Sequence, residues 1–377
     1  MINANRLRDK FLELVKIDSV SKYEKQVSIN LAHTLKKMGA EIFFDKAGEA
    51  CGSNCGNLIA KFKGNVDAEP IFFCGHMDTV GPGNNIKPVF ENGIFKSDGT
   101  TVLGADDKSA LAIILEILNE IFENNLKHPP IDIIFTICEE IGLLGAKNID
   151  LSLVDAKLGY ILDSSDINGI VTKAPSANKL TIKVFGKAAH AGNSPENGIN
   201  ALSIASKAIS ELNLGRIDHE TTCNLGVIKG GIATNIVPDL IEIKGEVRSH
   251  NETKLDEVTQ AIGQAFSKAR EEFSTKIQIP EIEFVVDQDF PKTDIAEDSS
   301  VVLLAQKAAA NLGRKLEITT SGGGADANVF CGNGMMPGVI GTGMKDVHTV
   351  NESISLDDMV QTTQLMLEII RIHVQER

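Results

Sequence analysis

The chain has 377 residues, of which 42% are hydrophobic and 23% charged, a balance that excludes a disordered protein and predicts two folded domains. Its net charge of −14 excludes nucleic acids and anionic membranes as partners, because both require clustered lysine and arginine. No apolar run approaches the roughly 18 residues of a membrane span, and the N-terminal segment is amphipathic and unlike a signal peptide, so we expect a cytoplasmic protein.

The first part of the sequence predicts an α/β fold. Residues 106–125 have the 3.6-residue apolar period of a helix whose apolar face is broad enough to pack on a sheet. Nearly unbroken apolar runs at 131–138 and 157–163 are typical of parallel strands that helices cover on both faces. The other elements predicted here are helices at 3–16 and 22–39 and strands near 41–45, 57–63 and 70–75.

The pattern changes after about residue 175. The stretch "NKLTIKVFGKAAHAG" alternates apolar and polar residues, as in a half-exposed antiparallel strand. Further on, the sequence predicts a helix at 198–213, strands near 222–229 and 240–248, a helix at 252–274 and a strand near 279–286. This β-α-β-β-α-β order is a split βαβ, ferredoxin-like layout.

The last part of the sequence returns to the first pattern. It predicts a helix at 297–311, a strand at 315–320, a glycine-rich turn, a strand at 337–341 and a helix at 355–375. We therefore expect a discontinuous α/β domain, residues 1–175 and 292–377, interrupted by an inserted α+β domain of residues 176–291.

Acidic and imidazole side chains follow several predicted strands. In open α/β sheets, ligands bind beyond the carboxyl ends of the strands. Strand spacing would place His76 and Asp78 on one face, where a carboxylate can orient an imidazole. Singly, these residues could be helix caps, turn residues or solvated strand ends, but together at one sheet edge they favour a shared site. The others of this kind are Asp106, Glu139, Glu140, Asp163 and His348.

This set of side chains indicates a metal centre. Two histidines and several carboxylates, without ligating cysteines, are typical of zinc, cobalt or manganese. The excess of carboxylates favours two ions sharing one carboxylate, because each ion brings two positive charges that offset the repulsion. A two-metal site activates a bridging water and polarises a carbonyl, so the sequence predicts a hydrolase.

The sequence resembles the M20 family of metallopeptidases, and within it the peptidase T-like branch. The matching stretches cover nearly the whole chain in the family's order: "GHMDTV", "GADDKSALA", "TICEEIGLLGA", "LDSSD", "GKAAHAGNSPENGINAL", "GGIATNIVPD", "EVRS", "SGGGADANVF" and "GTGMKDVHTVNE". The resemblance implies a di-zinc exopeptidase-type α/β catalytic domain with the inserted domain as a lid.

The resemblance also implies the metal ligands. His76 and Asp163 would hold one divalent ion, and Glu140 and His348 would hold the other. Asp106 would bridge the two ions. Zinc is the expected metal, and cobalt or manganese would accept the same ligands.

Two further residues receive roles beside the metals. Glu139 would be the general base, which takes a proton from the attacking water and later gives it to the leaving amine. Asp78 would hold His76 in its tautomer. The family also implies a cis peptide bond between Asp106 and Asp107.

The lid domain would contribute substrate contacts. His190 resembles a family histidine that stabilises the oxyanion, often from a partner subunit, so the resemblance leaves open a homodimer through the lid. Asn235 and Arg248 resemble groups that bind the substrate's carboxylate. The loop around Gly323 would offer main-chain N–H groups to a short peptide substrate.

Several functions remain open at this point. We expect an aminopeptidase that releases the N-terminal residue of tripeptides, and the alternative is an N-acyl amino acid deacylase or a carboxypeptidase-like enzyme. A dinucleotide-binding enzyme would require GxGxxG directly after an early strand, and none is present. A catalytically inactive binding protein would have lost the base or the bridging acid, whereas Glu139 and Asp106 are both in place.

Overall fold

The computed structural model describes residues 2–274 and 279–375, and these form two compact units. The larger unit comprises residues 2–173, 293–321 and 325–375. The smaller unit comprises residues 174–274 and 279–292 together with 322–324. The sequence analysis assigned all of 292–377 to the α/β domain, but Gly322–Gly324 cluster with the smaller unit. At Gly324 an added Cβ would lie 2.5 Å from the ring of Phe290.

A mixed sheet forms the centre of the larger unit. Four central strands run parallel, in the order Ile131–Thr136, Ile71–His76, Leu158–Ser164 and Met336–Gly341. Leu58–Phe62 and Glu41–Phe44 continue the sheet on one side in antiparallel pairs. On the other side lie Gly169–Ala174, antiparallel to its central neighbour, then Thr293–Asp294, and Glu317–Thr320 also pairs with Gly169–Ala174. The parallel centre confirms the predicted α/β fold class.

Helices cover this sheet because its central strands are apolar on both faces. Every residue of Ile71–His76 and Ile131–Thr136 is buried. The helix Ala105–Glu123 contacts the first of these strands and buries nearly its whole length. A small antiparallel sheet contains Ser353–Ser355, Ile94–Lys96 and Val89–Glu91. The other helices are Ala4–Val15, Lys25–Lys37, Ala47–Cys51, Leu144–Lys147, Ser300–Asn311, Asp326–Gly332 and Leu356–Gln375, with a 3-10 turn at Leu151–Leu153.

The smaller unit is an antiparallel sheet with helices on one face. Its strand order is Gly215–Arg216, Thr221–Gly230, Leu240–Ser249, Ser176–Phe185 and Glu281–Phe290. The helices Ala201–Ser210 and Glu252–Glu272 share a core with Leu180, Ile182 and Val184, which alternate along one strand and so face one side. A 3-10 turn lies at Pro195–Asn197. The long elements follow the predicted β-α-β-β-α-β order.

The elements that the sequence analysis did not predict are short. They include the strand Gly169–Ala174 and the helix Asp326–Gly332. Such short segments carry little periodic signal, and contacts with neighbouring elements determine their conformation. Among the described residues, no helix combines the length and hydrophobicity that a membrane crossing requires.

Candidate metal centre

The candidate site lies at the carboxyl edge of the four parallel strands. His76 is the last residue of its strand, and Asp163 is the penultimate residue of Leu158–Ser164. Glu139 and Glu140 follow shortly after the strand Ile131–Thr136. His348 lies in the loop after Met336–Gly341. The parallel direction of these strands brings residues from distant parts of the chain to one edge.

Asp106 lies beside both histidines. Its Oδ1 is 3.0 Å from His76 Nε2, and its Oδ2 is 3.2 Å from His348 Nε2. His348 Nε2 is also 2.9 Å from Glu140 Oε2. Potential ligand atoms of His76, Asp106 and Glu140 lie within 4.8 Å of one another. Asp106 therefore connects the two imidazoles and is close to a second carboxylate.

A second group of close carboxylates contains Asp106, Asp107 and Asp163, again with ligand atoms within 4.8 Å of one another. The sequence analysis gave Asp107 no role. Its Oδ2 accepts a hydrogen bond from the main-chain nitrogen of His76 at 3.1 Å. The peptide bond between Asp106 and Asp107 is cis, as the resemblance implied. The adjacent aspartates in "GADDK" were the available signal, but spacing alone did not separate their roles.

Asp78 lies beside His76, but strand geometry does not produce the contact. The strand ends at His76, so the alternation of side chains along a strand does not extend to Asp78. His76 Nδ1 donates to the main-chain oxygen of Asp78 at 2.9 Å, while the nearest carboxylate oxygen lies at 3.5 Å. The carboxylate accepts stronger contacts from Ser21 Oγ at 2.7 Å and the Glu139 nitrogen at 2.9 Å. Asp78 thus contacts His76 chiefly through its main chain.

Glu352, which the sequence analysis also did not select, holds the segment that carries Asp106. Its Oε2 accepts hydrogen bonds from the nitrogens of Leu103 and Gly104 at 2.7 and 2.8 Å. Its Oε1 accepts one from the nitrogen of Asp106 at 2.9 Å. Glu352 is 1% exposed, so these bonds are shielded from water. Its place four residues after His348 gave no local signal of this contact.

The electrostatics of the site follow from burial and crowding. Burial raises the pKa of Asp163 to about 7, and the charge of Asp106 adds to the rise. Burial also raises the pKa of Glu139 well above its usual range. Burial opposes ionisation of Asp106, but hydrogen bonds from His348 and His76 outweigh it and lower its pKa. The hydrogen bonds to Asp106 and Glu140 raise the pKa of His348 to about 10.

The donor set fits divalent cations. Within residues 2–274 and 279–375, the buried Oε1 of Glu140 and Oδ1 of Asp107 have no hydrogen-bond partner. A buried carboxylate oxygen without a partner is unfavourable, and a cation would satisfy it. Carboxylates and imidazoles are ligands that zinc, cobalt and manganese share. The residues that could hold such ions are His76, Asp106, Asp107, Glu140, Asp163 and His348.

Within the smaller unit, His190 lies next to Asn235. The nitrogen of Ala191 donates to the main-chain oxygen of Asn235 at 2.9 Å, and His190 forms a β-bridge with Ile236. His190 is exposed, and its Nδ1 accepts from the nitrogens of Gly192 and Asn193, each at 3.1 Å. The ring is therefore oriented by its own loop.

Arg248 and the glycine loop lie around one aromatic ring of the smaller unit. The guanidinium of Arg248 is 5.9 Å from the ring centroid of Phe290, within the range of a cation–π contact. The same ring lies against Gly324, next to Gly323. Arg248 also donates to Glu246 at 3.0 Å. The structure thus brings Arg248 and the loop of Gly323 to the same aromatic side chain.

A sequence model of peptidase family M20/M25/M40 matches residues 72–372. The chain belongs to this family. It is therefore a peptidase, a hydrolase that acts on peptide bonds, and the predicted M20 resemblance is confirmed.

Relatives in the M20 family extend over the whole chain. Uncharacterized protein YqjE of Bacillus subtilis (strain 168) is 43% identical, with 98% of this chain and 99% of YqjE covered. The solved structure of aminopeptidase PepT from Bacillus cereus ATCC 10987 is 40% identical, covers 100% of both chains and has a TM-score of 0.88. A tripeptidase structure from Staphylococcus aureus subsp. aureus Mu50 is 36% identical, with the same coverage and a TM-score of 0.93. These similarities confirm the peptidase T-like branch.

Proposed function

We propose that this M20 peptidase is a two-metal aminopeptidase that releases the N-terminal residue of short peptides, chiefly tripeptides. The observation that carries the proposal is the position of Asp106, with one oxygen beside His76 and the other beside His348 at 3.0 and 3.2 Å. The names of the relatives at 40% and 36% identity, an aminopeptidase and a tripeptidase, support the substrate class.

The proposed ligands divide into two sets that share Asp106. His76 and Asp163 would hold one ion, and Glu140 and His348 would hold the other. Two divalent ions would lower the pKa of a shared water and polarise the scissile carbonyl. We expect zinc, and cobalt or manganese fit the same donors.

Glu139 is the proposed general base. It would take a proton from the attacking water at its carboxylate and return it to the leaving amine. Its burial raises its pKa, which brings the carboxylate closer to the pH at which it must exchange protons. Asp78 supports this role because it accepts a hydrogen bond from the main-chain nitrogen of Glu139.

The smaller unit supplies the proposed substrate contacts. In neutral His190, Nδ1 is an acceptor, so the proton lies on Nε2 and can be donated to an oxyanion. Arg248 and Asn235 would bind the substrate's carboxylate, and the loop of Gly323 would bind its main chain. The side chain of Arg248 is 29% exposed, so part of its guanidinium is open to a ligand. A homodimer through the smaller unit and a cytoplasmic location remain predictions.

A comparison of three peptides with the same side chains tests the proposal. We expect release of the N-terminal residue from a free tripeptide, and kcat/KM at least about 100-fold lower for its N-acetyl form, because a site built for an amine leaves polar groups unpaired without it. The third peptide, the same tripeptide with a C-terminal amide, should bind more weakly if Arg248 binds the substrate's C-terminal carboxylate. Faster cleavage of the N-acetyl peptide would indicate a deacylase, and release of the C-terminal residue a carboxypeptidase-like enzyme.

A further inference from the structure

The segment Ile137–Glu140, which carries Glu139, belongs to no strand or helix. The preceding strand ends at Thr136, and the next helix begins only at Leu144. Its main-chain N–H groups therefore cannot be satisfied by a sheet ladder or by helical hydrogen bonds. Other groups of the protein must accept them if the segment is to keep one conformation.

Three side chains from distant parts of the chain accept four successive N–H groups of this segment. Asn57 Oδ1 accepts from Ile137 at 3.0 Å, and Glu24 Oε1 accepts from Cys138 at 3.0 Å. The carboxylate of Asp78 accepts from Glu139 and Glu140 at 2.9 and 3.3 Å. All three acceptor side chains are 0% exposed: Glu24, Asn57 and Asp78. Buried side chains thus accept all four N–H groups of the segment, while its carbonyl oxygens accept from the main chain of residues 142–145.

Glu24 is itself fixed at both carboxylate oxygens. Oε1 accepts a second hydrogen bond from the nitrogen of Lys22 at 2.8 Å. Oε2 accepts from Ser53 Oγ at 2.6 Å. These two hydrogen bonds therefore fix the position of Glu24 Oε1 independently of its hydrogen bond with Cys138.

Cys138 needs this acceptor because its backbone is strained. Its φ of +52° lies in the left-handed region, which costs a residue with a side chain roughly 1–2 kcal/mol. Such a conformation persists only where surrounding contacts impose it. The hydrogen bond to Glu24 is one of the contacts that impose this conformation on Cys138, directly before Glu139.

We propose that Glu24 is a positioning residue for the general base, acting through the main chain of Cys138. The inference rests on the proposed role of Glu139 and adds a determinant of where its carboxylate lies. What Glu24 supplies is a fixed acceptor oxygen and not its charge. Oε1 accepts from the two N–H groups and from Cys138 Sγ at 3.3 Å, whereas Oε2 meets a hydroxyl that can donate or accept.

This geometry predicts an unusual order among substitutions. Glu24→Gln can keep an oxygen toward Cys138 and donate its amide to Ser53, so it should keep most of the wild-type kcat. Glu24→Asp keeps the charge but is shorter by one methylene, so its oxygen no longer reaches Cys138. Glu24→Ala removes the acceptor altogether. For the last two we expect kcat on a tripeptide to fall roughly 10- to 100-fold, because a displacement of about 1 Å can cost about 100-fold.

The measurement is kcat and KM per folded, metal-loaded enzyme, with metal content and folded fraction determined for each variant. We expect KM and metal content to stay at the wild-type values, because Glu24 contacts Lys22, Ser53 and Cys138 and none of the proposed ligands. Asp132→Ala is the matched control. Asp132 is 2% exposed and accepts from the nitrogens of Asp155 and Ala156 at 2.7 and 2.9 Å, at the opposite end of the same strand. It should lose stability and keep kcat.

The outcomes separate this inference from the proposed function. Wild-type kcat in Glu24→Ala and Glu24→Asp would overturn it, and so would an active Glu24→Asp beside an impaired Glu24→Gln, since that order indicates a role for charge. If Glu24→Ala does not fold, the aspartate and glutamine variants decide. Glu139→Gln is assayed alongside. If Glu139→Gln is inactive while the Glu24 variants are active, only the role of Glu24 is refuted. If Glu139→Gln is active, the role of Glu139 as the general base is refuted.

Discussion

In the candidate metal centre, a single side chain makes several contacts at once. Asp106 contacts two imidazoles through its two oxygens, and its main-chain nitrogen donates to Glu352. Glu140 uses one oxygen toward His348, while its other oxygen is buried and unsatisfied within the described part of the chain. The side chains are therefore oriented by protein contacts, and the remaining ligand atoms are available for cations.

The role of Glu139 predicts a large effect on turnover alone. Glu139→Gln removes the proton acceptor and keeps the size of the side chain. We expect kcat on a tripeptide to fall at least about 100-fold, the scale of a lost general base, with metal content unchanged. Steady-state kinetics and elemental analysis measure both quantities. The control is Glu257→Gln on an exposed helix position, which should change neither, and normal turnover of Glu139→Gln at full metal content would refute the role.

His348 predicts a different effect, on metal content. His348→Ala removes an imidazole that lies 2.9 Å from Glu140 and 3.2 Å from Asp106, so one ion should be weakened more than the other. After dialysis, elemental analysis should find about half of the wild-type metal content, because a two-metal site would keep one ion. His33→Ala, at an exposed position, should keep the wild-type ratio. An unchanged ratio in His348→Ala would argue against its assignment as a ligand.

Among the elements, the start of the helix Ala105–Glu123 and the end of the strand Ile131–Thr136 carry the centre. Both termini depart from regular geometry at the functional residues. Asp106 and Asp107 have non-helical backbone angles, and Cys138 lies in the left-handed region. Buried carboxylates hold both segments: Glu352 accepts the N–H groups beside Asp106, and Glu24 accepts that of Cys138. Irregular backbone is thus stabilised by side chains where regular hydrogen bonds stop.

Glu352→Gln tests whether side-chain acceptors stabilise the irregular backbone at the start of the helix Ala105–Glu123. The amide group of glutamine would face a main-chain N–H, so at least one buried donor would lose its acceptor. Leaving a buried donor unsatisfied costs about 1–3 kcal/mol, and we expect the free energy of unfolding to fall by that amount. Urea denaturation measures the change, and Glu317→Gln on the surface is the control. If Glu352→Gln and the control were equally stable, the three hydrogen bonds would not stabilise the segment.

At the scale of the whole molecule, the two units have separate hydrophobic cores. The larger core extends from Leu7 to Ile372 in sequence, and the smaller from Leu180 to Ala269. The proposed metal ligands all belong to the larger unit, whereas His190, Asn235, Arg248 and Gly323 belong to the smaller. A change in metal content should therefore act first on the larger unit.

Removal of metal by a chelator tests this division. A ligand that binds only the folded state stabilises it by about 2.7 kcal/mol at 100 times its Kd. We expect chelation to lower the Tm and zinc to restore it. Hydrogen exchange should become faster in 103–106 and 137–140, and the strands Ser176–Phe185 and Leu240–Ser249 should be unaffected. Equal melting curves with and without the chelator would contradict the two-metal proposal.

Much of the fold was predictable because periodicity is a local property. The helix expected at 106–125 is Ala105–Glu123, and the final helix expected at 355–375 is Leu356–Gln375. Both have long apolar patterns that only one secondary structure can bury. Residues such as His76 and Asp163 were selected because acidic and imidazole residues at the ends of predicted strands can also be recognised from the local sequence. The strand Gly169–Ala174 was missed, since its sequence GIVTKA lacks the unbroken apolar run of the central strands.

The sequence by itself determined the α/β class, the M20 membership and the residue types available for a metal centre, because all of these depend on neighbouring residues or on motifs. Only the tertiary structure decided which buried groups accept which hydrogen bonds. Glu24 and Cys138 are 114 positions apart, and Glu352 and Asp106 are 246 apart. A buried donor forms its hydrogen bond with whichever acceptor the packing brings within about 3 Å, and no local pattern encodes a contact over such separations.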